Sequence, residues 1–170
     1  GGGKSLVNEI EVLRSTPLME KVVIELNLTT SIFRQGRVKE TELYDKPPLI
    51  VTRLDSLDSW ESFYLQPDEG GSFLLKSDPE DAGRRCYYDV PFHSPYGYFK
   101  ISTGAVENFA PNLLRISLRP LTATAESYAG RLFIERIGDI RLSSVLKLQI
   151  SDPIAQKAED VLSSLINKYN

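Results

Sequence analysis

The sequence is poor in the residues from which most active sites are built. Its one cysteine, Cys86, has no partner for an internal disulfide. Its one histidine is His93. A protein zinc site takes three or four ligands of the cysteine and histidine type. These two residues cannot supply them, so no metal site is expected. A cysteine–histidine nucleophile pair needs contact between the two, and their separation across an expected loop gives no reason for it. Cys86 reads as a small, half-buried apolar residue. His93 reads as a polar loop residue beside Pro91-Phe92.

Long apolar runs are also missing. The longest, 47–51 and 73–75, suit buried strands and fall far below the ~20 residues of a membrane helix. No charged segment followed by an apolar one opens the chain, as a signal peptide would require. The chain begins at Gly1 and its only methionine is Met19, so it reads as starting inside a longer polypeptide or after a removed tag. The net charge is -3 and no lysine–arginine cluster is present. A polyanionic partner, nucleic acid included, is therefore not expected.

Two motifs fall short of their chemistry. Gly1-Gly2-Gly3-Lys4-Ser5 ends like a phosphate-binding loop but lacks the first glycine and the preceding strand that such a loop needs. It reads as a flexible lead-in to a helix. Glycosidases place two carboxylates across a cleft. The pairs Asp55/Asp58 and Asp68/Glu69 read instead as a turn and a solvated hairpin tip. No cofactor is implied, and no catalytic set stands out.

What is present is ordinary globular material, 41% apolar and 25% charged, enough for one domain with a sizeable core. Leu6, Val7, Ile10 and Leu13 recur at helical spacing, with Glu9, Glu11 and Arg14 opposite. Thr16 reads as an N-cap with Pro17 in the first helical position. A second helix would then turn Leu18, Val22 and Leu26 inward. From residue 30 to about 101, β-branched and aromatic residues rise and turn signals recur. Strands are expected at 31–34, 49–54, 62–65, 72–76 and 98–102, with a polar loop at 77–85. Further on, the pattern gives strands at 113–118, 132–137 and 145–150 and a short helix at 121–131. Asp152 reads as the cap of a last helix whose apolar face carries Ile154, Ala158, Val161, Leu162 and Leu165. That helix meets no stop signal before Asn170, as if it ran on in a longer chain.

The expected class is α+β: a helix-flanked mixed sheet with a β-rich central insertion or subdomain. It would be one domain over 1–170, with the β-rich part at 30–102 and helical elements of the base at 5–27 and 153–169. Within 87–99, Tyr87, Tyr88, Phe92, Tyr96, Tyr98 and Phe99 lie close together. They read either as core and edge-strand residues or as a sugar-contacting set. Aromatic rings stack on sugar faces and tyrosine adds a hydroxyl. Tyr87, Tyr88, Tyr96 and Tyr98 are the candidates for that role.

Four segments, in order, resemble the bacterial polysaccharide chain-length determinant (polysaccharide co-polymerase) family. That family includes the envelope-facing regions of exopolysaccharide tyrosine autokinases. The segments are Asn8-Glu9-Ile10-Glu11-Val12-Leu13-Arg14-Ser15 with Leu18-Met19-Glu20-Lys21-Val22-Val23; Arg37-Val38-Lys39-Glu40-Thr41-Glu42-Leu43-Tyr44; Ser94-Pro95-Tyr96-Gly97-Tyr98-Phe99-Lys100-Ile101; and the strand 146–150 with Ser151-Asp152-Pro153 and Ala155, Ala158, Leu162, Leu165 and Tyr169. Tyr96 departs from the family's usual phenylalanine. None of these segments is a catalytic signature.

The resemblance implies a non-catalytic region on the periplasmic side of the bacterial inner membrane, in a membrane-anchored protein. It implies ring-like homo-oligomers that set the length of O-antigen, capsule or exopolysaccharide chains. The polysaccharide and its polymerase and export machinery would be the partners. Glu9, Glu11 and Arg14 would then lie at subunit contacts. The alternative, from the aromatic cluster, is a monomeric carbohydrate-binding module.

Overall fold

A computed structural model describes residues 2–56, 58–104, 112–138 and 145–170; Gly1 and Leu57, both part of motifs above, lie outside this set. The chain is α+β with a β-rich centre, and divides into two compact units. Unit 1 joins 1–29 to 121–170, and unit 2 is 30–120.

Unit 1 is helical. α1 (Gly2–Leu13) and α2 (Thr16–Glu25) follow each other closely. The Gly-Gly-Lys-Ser stretch is thus helical from Gly2 rather than a flexible lead-in. Val7 is 57% exposed, whereas Leu6 and Leu13 are buried, so the inward stripe of α1 is narrower than its apolar residues suggest. The α2 cap is Ser15, not Thr16: its hydroxyl accepts from the Leu18 N–H at 3.4 Å. Thr16 and Pro17 are the first two helical residues, positions where a missing N–H does no harm.

The end of α2 follows from Asn27, whose φ of 53° is left-handed. Its N–H reaches the Ile24 carbonyl at 3.2 Å and the Leu28 N–H reaches Val23 at 2.9 Å. This is the Schellman pair that satisfies otherwise orphaned carbonyls.

Helix α3 (Leu121–Arg131) and the hairpin β10 (Leu132–Ile137) and β11 (Val145–Ile150) follow, then α4 (Ala155–Tyr169). α2 packs against both α3 and α4 and buries Leu18, Met19, Val22 and Val23. α3 buries Ala125 and Tyr128, and α4 buries Val161 and Leu165. Asp152 does not cap α4, whose N-cap is Ile154 without a side-chain bond. Asp152 closes the preceding turn by accepting from the Ile154 N–H at 2.8 Å, and it pairs with Arg131 at 3.4 Å. The buried stripe of α4 is Lys157, Val161, Ser164 and Leu165, displaced from the expected apolar set.

Among the described residues unit 2 holds nine strands: β1 (Thr30–Gln35), β2 (Glu40–Glu42), β3 (Leu49–Arg53), β4 (Glu61–Pro67), β5 (Ser72–Lys76), β6 (Arg84–Tyr87), β7 (Phe92–Ser94), β8 (Gly97–Thr103) and β9 (Leu114–Leu118). They form a six-stranded sheet in the order β2-β1-β9-β4-β5-β6 and a three-stranded sheet β3-β8-β7. Every strand pair among the described residues is antiparallel.

Alternation sets the register of these strands. Ile32, Ile116 and Phe63 lie opposite one another across three strands, and Leu114, Leu65 and Leu75 form a neighbouring row. With Leu49, Val51, Phe92, Phe99 and Ile101 of the smaller sheet they make one buried cluster. Both sheets of this unit therefore share a core, as facing sheets do. Strands β2, β6 and β7 were not expected. Arg84 and Arg85 belong to β6 rather than to a polar loop, and His93 belongs to β7.

Candidate functional site

The expected aromatic group splits in two. Phe92 and Phe99 are buried, while Tyr88 and Tyr96 pack against the core. Tyr96 stacks on Phe63 with ring centroids 5.0 Å apart, and Tyr88 meets Phe73 at 5.0 Å. The Tyr88 hydroxyl is buried without a hydrogen-bond partner among the described residues, and burial pushes its pKa up. Tyr87 and Tyr98 differ. Tyr87 is 51% exposed. Tyr98 lies opposite His93 on the β7–β8 hairpin, and the two rings stack at 4.1 Å.

That hairpin is turned by Pro95-Tyr96. The Ser94 hydroxyl donates to the Gly97 carbonyl at 2.9 Å and accepts from the Tyr96 N–H at 3.1 Å. Gly97 has φ 132°, which a side chain would resist.

β6 is the edge of the large sheet and β7 the edge of the small one. Between these edges lies a cleft of about 340 Å³. Its lining comes from Arg84, Arg85, Cys86 and Tyr87 of β6, Val90 and Pro91 of the connection, and Phe92 and His93 of β7. Arg84 spans the edges, donating to the His93 carbonyl at 2.6 Å. Arg85 is held by Asp68 at 3.0 Å and donates to the Ser72 hydroxyl at 3.0 Å. Asp68 is therefore engaged rather than simply solvated at a hairpin tip. Among the described residues Arg84 has no carboxylate within ion-pair distance, and its side chain is exposed to solvent.

Cys86 and His93, expected to lie apart, both line this cleft. Burial pushes the Cys86 thiol up, against the opposing charge of Arg84. Since the thiolate is the nucleophile, this setting does not activate it. The cleft is suited to binding an anion beside aromatic rings.

Of the expected subunit-contact residues, Glu9 and Glu11 lie on α1 and Arg14 follows its last residue. Glu9 is half-buried, and Glu11 and Arg14 are exposed. Burial, together with a hydrogen bond to Glu9, raises the Tyr169 pKa, so Glu9 links α1 to the end of α4. Arg14 donates to the Leu132 carbonyl at 3.1 Å. Glu11 makes no ion pair among the described residues. A second link within unit 1 joins α2 to α4: Glu25 accepts from the Ser164 hydroxyl and pairs with Lys168 at 3.2 Å. Both partners, Ser164 foremost, hold the Glu25 carboxyl below its usual range.

Sequence reasoning missed Arg84 as a site residue. No alternation in Arg84-Arg85-Cys86-Tyr87 marked it: only Cys86 of the four is buried, and the strand is defined by its pairing with β5. Among the described residues no helix is long and apolar enough to cross a membrane. Comparison with protein-family profiles gives no match for the chain, and neither does a search of curated proteins.

Proposed function

We propose that this chain is the periplasmic, non-catalytic module of a membrane-anchored bacterial polysaccharide co-polymerase. It assembles with further copies and sets the length to which a surface polysaccharide is grown and exported. It uses no cofactor, and its partners are the polysaccharide and its polymerase and export machinery. The observation that carries this reading is the construction of unit 1. The two segments that most resemble the family lie at opposite ends of the chain, yet α2 and α4 pack directly on each other. A base made from both ends, with a β-rich insertion between them, is the arrangement the sequence pattern led us to expect, and it brings the first and last of the family-like segments together.

Within the reading, α1 presents Glu11 for a neighbouring copy. Glu9 and Arg14 contribute from their present positions against Tyr169 and Leu132. A ring of copies would hold a growing polymer through many weak contacts, where avidity replaces a single tight site.

The test is the size distribution of surface polysaccharide in cells that lack this protein. Loss of the preferred length, restored by the intact protein, supports the reading. An unchanged distribution overturns it.

A second reading, a monomeric carbohydrate-binding module, is favoured by the cleft between β6 and β7 with its exposed Tyr87 ring. Saturable glycan binding by a monomeric chain, with polysaccharide length unaffected by its loss, would select it.

A further inference from the structure

We infer that the outer face of the β10–β11 hairpin docks on the same face of a second copy of this chain, in a two-fold dimer where Glu135 of each copy meets Lys147 of the other.

Among the described residues β10 and β11 pair only with each other, and a two-stranded ribbon is marginal by itself. Its register sorts the side chains onto two faces. Leu132, Ile134, Leu148 and Ile150 share the inner face and are buried or half-buried. The outer face carries the cross-strand pairs Phe133–Gln149, Glu135–Lys147 and Ile137–Val145, and every one of these residues is exposed. Phe133 is 53%, Ile137 44% and Val145 56% exposed. Large apolar side chains gathered on one exposed face mark an interaction surface.

Charge selects the occupant. Glu135 lies directly opposite Lys147, yet among the described residues neither is in an ion pair. The face therefore holds its negative charge on one strand and its positive charge on the other, at the same level. Two such faces laid together about a two-fold axis along the strands exchange columns, β10 over β11 of the other copy. Glu135 then falls over Lys147 of the other copy, and the contact occurs twice. The same rotation sets Ile137 over Val145, apolar on apolar, and Phe133 over the Gln149 stem. A two-fold axis across the strands would instead set Glu135 on Glu135, and juxtaposed like charges disfavour that docking. The chosen axis also keeps the strands aligned, as packed sheets do. A partner of one charge sign would answer one column only, whereas a second copy answers both. Exposed ion pairs add little energy, so they set the orientation while apolar burial supplies the affinity. A two-fold contact closes on itself and builds no ring, so its fate is separate from that of the proposed function.

The patch is far smaller than a standard interface of about 20–30 residues a side, so the pairing is weak and shows at high concentration. The full chain is diluted from about 1 mM to about 0.02 mM and its amide shifts are followed by NMR. Concentration-dependent shifts centred on 133–137 and 145–149 are expected. Glu135→Lys, which replaces two attractive contacts by two repulsive ones, should weaken the dimer about tenfold, and Lys147→Glu likewise. An equimolar mixture of these two variants should associate as the parent does, and so should the double variant with the charges exchanged. Val145→Ser should weaken the dimer about tenfold, since its side chain is buried twice.

All these positions are exposed, so the variants should melt with the parent. If Glu135→Lys does not, Lys147→Glu and Val145→Ser decide by the same dilution. Shifts that do not depend on concentration, shifts centred elsewhere, single charge variants that associate like the parent, or a mixture that stays monomeric would each overturn the inference.

Discussion

Replacing Arg115 with lysine should loosen the outer edge of the large sheet, by an amount that depends on pH in a defined direction. Arg115 sits on β9 opposite Phe33 of β1, with its guanidinium 4.2 Å from the centroid of that ring. Its Nε donates to Glu40 of β2 at 2.9 Å, and a second nitrogen reaches the other carboxylate oxygen at 2.5 Å. Gln35 donates to the same carboxylate at 2.8 Å. One side chain therefore fastens three strands. These bonds, Arg115 first and Gln35 next, bring the Glu40 pKa from 4.5 to about 2.

If the pair were shielded, that displacement would be worth roughly 3 kcal/mol. The Glu40 side chain is 35% exposed, however, and solvent screening reduces an exposed pair to about 1 kcal/mol even when bidentate. The stacking on Phe33 adds about 0.5–1 kcal/mol. Lysine loses the fork and most of the stacking, so Arg115→Lys should cost about 1–1.5 kcal/mol at pH 7. Glu40 has a depressed folded pKa. Its contribution is therefore present above pH 4.5 and is lost as pH falls from there toward about 2.

Urea unfolding of the parent, Arg115→Lys, Glu40→Gln and the double variant, at pH 7 and pH 2.5, isolates the coupling. It should be about 1 kcal/mol at pH 7 and shrink at pH 2.5. A coupling near zero at pH 7, or one that grows on acidification, would refute the reasoning.

Two further outcomes follow from the core. Phe63 is fully buried, in contact with Tyr96 and Phe99, so Phe63→Ala should cost about 3–5 kcal/mol in urea unfolding; a loss below about 1 kcal/mol would show that the two sheets do not share that core. Cys86 is 3% exposed and its thiol is raised by burial, so iodoacetamide at pH 8 should label it far more slowly in the native chain than in urea. Equal rates would contradict its placement.

The parts of this fold legible in the sequence are those that local pattern determines. β5, β10, β11 and α3 fall where the local sequence put them; the burial of β11 alternates along its whole length, while β5 and β10 are short apolar runs. The missed strands are short and charged. β2 is Glu40-Thr41-Glu42, which carries no apolar alternation and is held by Arg115 from far along the chain. β6 opens with two arginines and reads as loop until Phe73 is placed opposite Cys86. Ser15 outcompetes Thr16 as a cap because the chain turns one residue earlier than Pro17 alone suggests.

The candidate site was only half visible. The tyrosines between 87 and 98 were conspicuous, but which rings face outward depends on strand register. The role of Arg84 was hidden for a different reason. Every arginine looks alike in sequence, and what distinguishes this one is that Asp68 pairs with its neighbour instead.

The measurement that bears most directly on the central claim is an exchange of this region. Cells would produce the protein with residues 1–170 replaced by the corresponding region of a chain-length determinant of different preferred length, and their surface polysaccharide would be sized on a gel. The account predicts that the preferred length follows the exchanged region. A folded, membrane-located hybrid that leaves the length distribution unchanged would contradict it.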